Sequence, residues 1–123
     1  MKFVTVDSCR VELERLTQLL VSAFPGSTIY RHTDLRRVPH DVLTNRVDAV
    51  LLEVQPDRTD SLDFVRMMRR QKPGVPMFAI SKSDGVRKAA EEAGVSGCFV
   101  LPDCEQQLLD AICQVNMMQS RKV

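Results

Sequence analysis

The chain has 123 residues, of which 44% are apolar and 27% are charged, and its formal net charge is +1. This length suits one domain, which buries about two-thirds of its unfolded surface and needs neither a disulfide nor a metal to fold. The near-neutral charge argues against a nucleic-acid-binding module. The apolar runs are too short to span a membrane, and residues 1–6 predict a strand rather than a secretory signal, so we expect a cytoplasmic protein.

Five short runs rich in apolar and β-branched residues predict strands, and they alternate with amphipathic segments. The predicted strands are 2–6, 27–30, 48–54, 75–80 and 97–101. The third of these runs stays apolar until Glu53, which is typical of a strand that is covered on both faces.

The segments between and after the strands predict five helices. They are expected at 10–24, from about Pro39 to 46, at 60–72, at 83–93 and from Asp103 onward. Pro39 favours a short second helix that begins there, because proline suits the first helical turn. We expect the chain from Met117 onward to be frayed or to begin a linker. The domain is placed at residues 1–118, with 119–123 as a tail or the start of a linker.

The alternation of strands and helices predicts an α/β domain with one parallel sheet and helices on both faces. We expect the doubly wound strand order 2-1-3-4-5. In such sheets, functional side chains gather beyond the carboxyl ends of the strands, near the point where the strand order reverses. The residues at these ends are Asp7, Ser8, Glu53, Ser81, Lys82, Leu101 and Pro102.

These strand-end residues resemble those of the receiver (CheY-like) domains of bacterial response regulators. As in receivers, Asp7 follows strand one, the carboxylate of Glu53 ends strand three, and a hydroxyl residue ends strand four. Residues 60–62 are Asp-Ser-Leu where receivers usually have Asp-Gly-Leu, and Leu101-Pro102 closes strand five. The resemblance implies a flavodoxin-like fold, a bacterial cytoplasmic protein and a cis peptide bond in that last pair.

The resemblance also implies a phosphorylation pocket, in which two adjacent acids hold Mg²⁺ with a phosphoacceptor Asp, and a hydroxyl and a Lys contact the phosphoryl group. Here Ser8 replaces the second acid, Glu53 the phosphoacceptor and Leu101 the Lys, while Cys98 occupies the position of an aromatic switch residue. Losing a metal ligand and a cation slows phosphoryl transfer by several orders of magnitude. We therefore predict no metal and no cofactor, with Asp7 and Glu53 as weak Mg²⁺ candidates.

Two alternatives stay open within this pocket. Glu53 either mimics the phosphorylated state or is a polar residue in a decayed pocket, and we favour the second because the cationic partner of a phosphomimic is missing. Lys82 either pairs with Glu53 or Asp7, as we propose from its position after Ser81, or it is a solvated loop residue.

Four cysteines predict reduced thiols in a cytosolic protein, since cytosolic disulfides are rare and no CxxC pair is present. Cys98 is expected on the face of the sheet toward the last helix, as a small apolar filler rather than a redox sensor. The reactivity of Cys9 depends on its environment and stays open.

The predicted function is that of a pseudo-receiver, a non-enzymatic regulatory module that contacts a protein partner or an output domain. It is expected to bind neither nucleic acid nor membranes itself, although a DNA-binding output domain would connect it to transcription regulation. Receivers commonly use the face formed by helix four, strand five and helix five, which would also support a symmetric homodimer. On this chain that face comprises Val86, Arg87, Ala90, Glu91, Cys104, Gln107, Ala111 and Gln114.

Two other functions remain as alternatives. The first is an atypical phosphoacceptor receiver that uses Glu53 or Asp7 with Mg²⁺. The second is a flavodoxin-like domain that binds a small molecule, which we rank last because no glycine-rich phosphate loop follows strand one.

Overall fold

The computed structural model describes residues 1–120, in which strands and helices alternate along the chain. The strands are β1 (Lys2–Val6), β2 (Thr28–His32), β3 (Ala49–Glu53), β4 (Met77–Ser81) and β5 (Gly97–Val100). The helices are α1 (Arg10–Ala23), α2 (Val38–Thr44), α3 (Asp60–Gln71), α4 (Arg87–Ala93) and α5 (Glu105–Ser120), and a 3-10 turn (Asp84–Val86) precedes α4.

The five strands form one parallel sheet in the order β2-β1-β3-β4-β5. This order confirms the predicted doubly wound α/β fold. The register places Val6 of β1 beside Leu52 of β3, and Glu53 of β3 beside Ile80 of β4. The carboxyl ends of the strands therefore lie along one edge of the sheet, at the reversal point between β1 and β3.

An apolar core lies on each face of the sheet. Val50 and Leu52 of β3 pack into the core beneath α2, α3 and α4, whereas Ala49 and Leu51 pack into the core beneath α1 and α5. All four residues are fully buried because both faces are covered by helices. This arrangement explains why the β3 sequence is apolar up to Glu53 instead of alternating.

Most strand and helix ends lie within two residues of the prediction. Pro39 lies in the first turn of α2, as predicted. Residues 84–86, predicted as helical, form a 3-10 turn before α4. The last helix begins at Glu105 rather than Asp103 and continues through Ser120, so the expected fraying from Met117 is not found. Residues 121–123 of the predicted tail lie outside the described residues, and the proposed domain boundary stays a prediction.

Two cationic side chains, one in α3 and one directly after it, connect the segments at the amino end of the sheet. The Arg69 guanidinium donates to the carbonyls of Pro73 and Val75, to that of Gly94 at 2.6 Å, and to the Ser96 hydroxyl at 3.1 Å. These contacts join α3, the loop before β4 and the loop before β5. We call this group the Arg69 clamp.

Lys72 makes a second such contact at the same end. Its ammonium donates to the Val42 carbonyl at 2.8 Å and to the Asn45 carbonyl at 3.4 Å, where α2 ends. A cation suits this position because the last carbonyls of a helix lack intrahelical partners and carry partial negative charge. Lys72 therefore fixes the end of α2 to the end of α3.

No helix among residues 1–120 is long and apolar enough to cross a membrane.

Candidate functional site

The carboxyl ends of the strands surround a cavity of about 270 Å³. The cavity lies between the sheet edge, the side of α1 and the start of α5. The residues of the predicted pocket that line it are Asp7, Glu53, Ser81, Lys82, Leu101 and Pro102. Ser8 faces a neighbouring groove and reaches the pocket through a contact with Glu53.

Asp7 is an almost completely buried carboxyl group, with 7% of its surface exposed. Its amide donates to the His32 carbonyl at 3.0 Å, which continues the β1–β2 ladder, and its Oδ1 accepts a 2.9 Å hydrogen bond from the Cys9 amide. Burial raises the pKa of Asp7 to about 7, and the nearby Glu53 adds to the rise, although the Cys9 amide opposes it. Asp7 is therefore protonated in slightly acidic solution.

The pKa of Glu53 shifts in the opposite direction, because its carboxylate accepts several hydrogen bonds. The Ser8 hydroxyl donates to Glu53 Oε1 at 2.8 Å, and the Ser8 amide approaches the same oxygen at 3.4 Å. Burial alone would raise the pKa of Glu53, but the hydrogen bonds from Ser8 and Asp7 outweigh it and hold that pKa below its usual value. Glu53 is thus ionised beside a protonated neighbour, which separates the protonation states of the two acids.

A contact that the sequence did not reveal fixes the backbone of Glu53. The Ser61 hydroxyl, in the first turn of α3, donates to the Glu53 carbonyl at 2.7 Å. This bond joins the end of β3 to the start of α3 across the intervening loop. The substitution of Ser for the usual Gly in residues 60–62 was the available signal, because the serine supplies a donor that glycine lacks.

Ser81 keeps its predicted place at the end of β4, but its hydroxyl is engaged within its own loop. Ser81 Oγ donates to the Ser83 carbonyl at 2.7 Å and accepts from the Ser83 amide at 3.1 Å. These two bonds form a local turn of the kind that serine favours. In this arrangement the hydroxyl stabilises the loop rather than contacting Glu53.

The predicted ion pair of Lys82 with Glu53 or Asp7 is wrong. Among the described residues, Lys82 forms no ion pair, although it lies at the cavity wall and is exposed. The short side chain of Ser8 already donates a hydrogen bond to Glu53. An exposed pair contributes under about 1 kcal/mol and must order a long side chain, so the solvated position is favoured.

Leu101 forms part of the apolar wall of the cavity, at the position for which the resemblance implies a cation. Its amide continues the sheet by donating to the Ser81 carbonyl at 3.0 Å, and its side chain packs against the core beneath α1 and α5. The peptide bond between Leu101 and Pro102 is cis, as the resemblance implies.

The side chains of this pocket fit a divalent cation poorly. Within residues 1–120, no group of three His, Cys, Asp or Glu side chains could hold a metal ion. Mg²⁺ prefers ionised carboxylates with several waters, whereas Asp7 is protonated in slightly acidic solution and the neutral Ser8 donates to Glu53. Asp7 and Glu53 are adjacent, but the raised pKa of Asp7 and the hydrogen bond from the Ser8 hydroxyl to Glu53 both weaken them as cation ligands.

Cys98 lies on the other face of the sheet from the one predicted. It is buried, with 2% exposed, and packs with Val86 and Ala90 in the core beneath α2, α3 and α4. Strand side chains alternate between faces, and Phe99 takes the position toward α5. Burial raises the pKa of the Cys98 thiol, which favours the predicted role as an apolar filler over that of a reactive sensor.

The predicted interaction face is smaller than expected. Val86 and Ala90 are wrong as contact residues, because they lie on the inner side of the turn and helix and are 4% and 0% exposed. The other predicted residues of the face are exposed or partly exposed: Arg87, Glu91, Cys104, Gln107, Ala111 and Gln114. The four cysteines are free thiols, as predicted.

No family model matches the chain. Over 110 residues the chain is 28% identical to the response regulator MprA of Mycolicibacterium vanbaalenii, covering 88% of this chain and 47% of that protein. The chain thus spans about half the length of this relative. A response regulator receiver domain from Clostridium thermocellum has a similar structure, with a TM-score of 0.82, 16% identity, and coverage of 99% of this chain and 98% of that chain.

A second solved structure points in the same direction. A LuxR family DNA-binding response regulator from Silicibacter pomeroyi is similar with a TM-score of 0.76 and 23% identity, over 94% of this chain and 90% of that chain. These structural likenesses establish the fold, and the similarity to MprA extends the likeness to the sequence. The chain therefore has the fold of response-regulator receiver (CheY-like) domains and resembles a response regulator in sequence.

Proposed function

We propose that this domain is a non-enzymatic regulatory module that acts through protein contacts and whose phosphorylation is absent or strongly impaired. The state of Glu53 carries the proposal. Its carboxylate accepts from Ser8, and within the described part of the chain no cation pairs with it. Phosphoryl transfer depends on cations that offset the charge of the transferring oxygens.

The substitutions in the pocket supply the magnitude of the expected impairment. Leu101 removes the cation and Ser8 removes an anionic metal ligand, and interactions of this kind contribute about 3 kcal/mol each to a transition state. Two such losses slow transfer by about 10⁴-fold. The extra methylene of Glu53 displaces the attacking oxygen by about 1 Å, which costs a further factor of about 10².

Intact-mass spectrometry after incubation with Mg²⁺ and acetyl phosphate tests this proposal. We expect no phosphoryl adduct on the wild-type chain. The triple variant Ser8→Asp, Glu53→Asp and Leu101→Lys restores the receiver side chains on the same backbone and should acquire the adduct, which verifies the conditions. A wild-type adduct that disappears in Glu53→Gln or Asp7→Asn would instead establish the alternative, an atypical phosphoacceptor that uses Mg²⁺.

The exposed part of the α4–β5–α5 face is the proposed contact surface. Gln107 and Gln114 lie seven residues, or about two turns, apart on α5, and Arg87 and Glu91 of α4 add mixed charges to the predicted face. Such a patch suits a symmetric homodimer or an output domain. Analytical ultracentrifugation tests the homodimer: the Gln107→Asp and Gln114→Asp double variant should shift a wild-type dimer toward monomer.

The lengths of the similar proteins support an output domain in a longer protein. The chain spans about half of the response regulator MprA, and one structural neighbour is described as a DNA-binding response regulator. We therefore propose a cytoplasmic bacterial regulator in which this domain controls a transcription-related output without binding nucleic acid itself.

A further inference from the structure

The cavity at the carboxyl end of the sheet has a continuous apolar wall. Leu16 and Leu19 of α1 line one side, and Ile80 and Leu101 of the sheet line the other. Leu16 and Ile80 also belong to the core beneath α1 and α5, and Leu101 packs against that core. The cavity is therefore an extension of a hydrophobic core that opens at the sheet edge.

Acidic groups outnumber basic groups in the lining of the cavity. Five carboxyl groups line the cavity, against two basic groups. Of the basic groups, Arg15 lies 3.5 Å from Glu12, and Lys82 forms no ion pair among the described residues. The cavity thus carries an excess of negative charge in a chain whose net charge is +1.

The size of the cavity suits a small organic molecule. An apolar cavity of roughly 150 Å³ holds a benzene molecule, and this one measures about 270 Å³. A molecule with an apolar ring and a short polar arm would place the ring against Leu101 and Leu19 and the arm toward Glu53. The charge of the surrounding groups determines which kind of arm is favourable.

We propose that this cavity binds a small organic cation, a primary ammonium on a compact apolar body. The ammonium contacts Glu53, and the body lies against Leu16, Leu19, Ile80 and Leu101. Binding would bring a positive charge to the position where receivers have a lysine and this chain has Leu101. The inference deepens the proposed function and rests on it, because the ligand takes the place of phosphorylation as the input to the module.

The hydrogen-bonding capacity of Glu53 supports this arrangement. A carboxylate accepts at about four lone-pair sites, and both Ser8 donors approach Oε1. An ammonium has three donors, and the partly buried carboxylate is a stronger partner for it than an exposed one because the surrounding dielectric is lower.

A titration with benzylamine, followed by ¹H–¹⁵N chemical shifts, tests the proposal. We expect shifts at the amides of Leu16, Ile80 and Leu101 and a Kd on the order of 1 mM. Benzyl alcohol and benzoate have the same ring with a neutral or an anionic arm, so they should bind at least about tenfold more weakly. Equal affinities for the amine and the alcohol would overturn the proposal.

Two variants locate the site. Leu101→Lys places an ammonium inside the cavity, and Glu53→Gln removes the charge at nearly constant shape, so each should weaken benzylamine binding by about tenfold or more. Leu43→Lys is the matched control, because it adds the same charge at an exposed leucine of α2 that does not line the cavity. Unchanged binding in Glu53→Gln would overturn the site even if Leu101→Lys does not fold.

The two proposals fail in distinguishable ways. A phosphoryl adduct on the wild-type chain would overturn the proposed function, whatever the amine titration shows. An absent adduct together with absent benzylamine shifts would leave the proposed function standing and overturn the ligand.

Discussion

The two ends of the parallel sheet differ in the partners of their charged side chains. At the amino end, the Arg69 clamp and Lys72 surround two cations with backbone carbonyls. At the carboxyl end, Asp7 and Glu53 share hydrogen bonds beside an open cavity, and no described cation pairs with them. The contacts of these two cations therefore stabilise the fold at the end of the sheet that is remote from the pocket. The pocket residues have room to change without loss of the sheet.

Replacing Arg69 tests the amino end and should have the largest effect. Arg69→Ala leaves the carbonyls of Pro73, Val75 and Gly94 without their donor. A hydrogen bond to a charged group contributes about 1.5–3 kcal/mol net, and water takes over part of this role at the partly exposed carbonyls of the variant. We expect the free energy of unfolding to fall by about 3 kcal/mol, measured by urea denaturation.

Arg66 provides the matched control for that experiment. It lies one turn from Arg69 on α3 and makes an exposed pair with Asp63 at 3.0 Å. Arg66→Ala should change the free energy of unfolding by less than about 0.5 kcal/mol. Similar losses of unfolding free energy in the two variants would contradict the conclusion that the Arg69 clamp stabilises the sheet.

The carboxyl end should dominate the dependence of stability on pH. The pKa of Asp7 is raised to about 7 in the folded chain, above its value in the unfolded chain, so the folded state binds the proton more tightly. The resulting stability is fully present below about pH 4 and is lost as pH rises through about 7. Between pH 5 and 8 we expect the free energy of unfolding to fall by about 2 kcal/mol.

The variant Asp7→Asn isolates this contribution, because it keeps the shape and removes the titration. Its stability should be nearly flat over the same range. The lowered pKa of Glu53 acts at lower pH, where its stabilising contribution is lost as the carboxylate is protonated. A wild-type stability that rises between pH 5 and 8 would show that Asp7 is ionised throughout.

The smallest predicted effect compares two lysines, one at each end. Lys82→Ala at the carboxyl end should leave stability unchanged within about 0.5 kcal/mol, because its ammonium has no ion-pair partner among the described residues. Lys72→Ala at the amino end removes the donor to Val42 and Asn45 and should cost about 1 kcal/mol. Thermal unfolding of both variants measures the difference. A larger loss of stability in Lys82→Ala than in Lys72→Ala would indicate that Lys82 forms an ion pair in solution.

The sequence predicted the sheet well because its signals are local. Residues 49–52 form a continuous apolar run, and Pro25-Gly26 and Gly94 mark helix ends, so the alternation of strands and helices follows from local signals. The strand order is not local and rests on the rules for crossovers in doubly wound sheets. The strand ends followed from the order, which brought Asp7, Glu53 and Leu101 together correctly.

The contacts within the site were less predictable because they depend on short distances between distant residues. The position of Lys82 suggested an ion pair, but its side chain is long and Ser8 reaches Glu53 first. The anchoring of Glu53 by Ser61 requires the loop geometry after β3. The face of Cys98 was misjudged because its strand is short, and a shift of one residue exchanges the two faces.

The hydrogen bond between Ser8 and Glu53 also bears on the order in which substitutions can accumulate. Ser8→Asp alone would place a third carboxyl group against Glu53 and Asp7 and remove the donor that keeps Glu53 ionised. Leu101→Lys alone would add a cation beside Glu53 while the second acid of the receiver pocket is still missing. Neither substitution alone supplies all the parts of the receiver pocket, so we expect their effects on phosphoryl transfer to be non-additive.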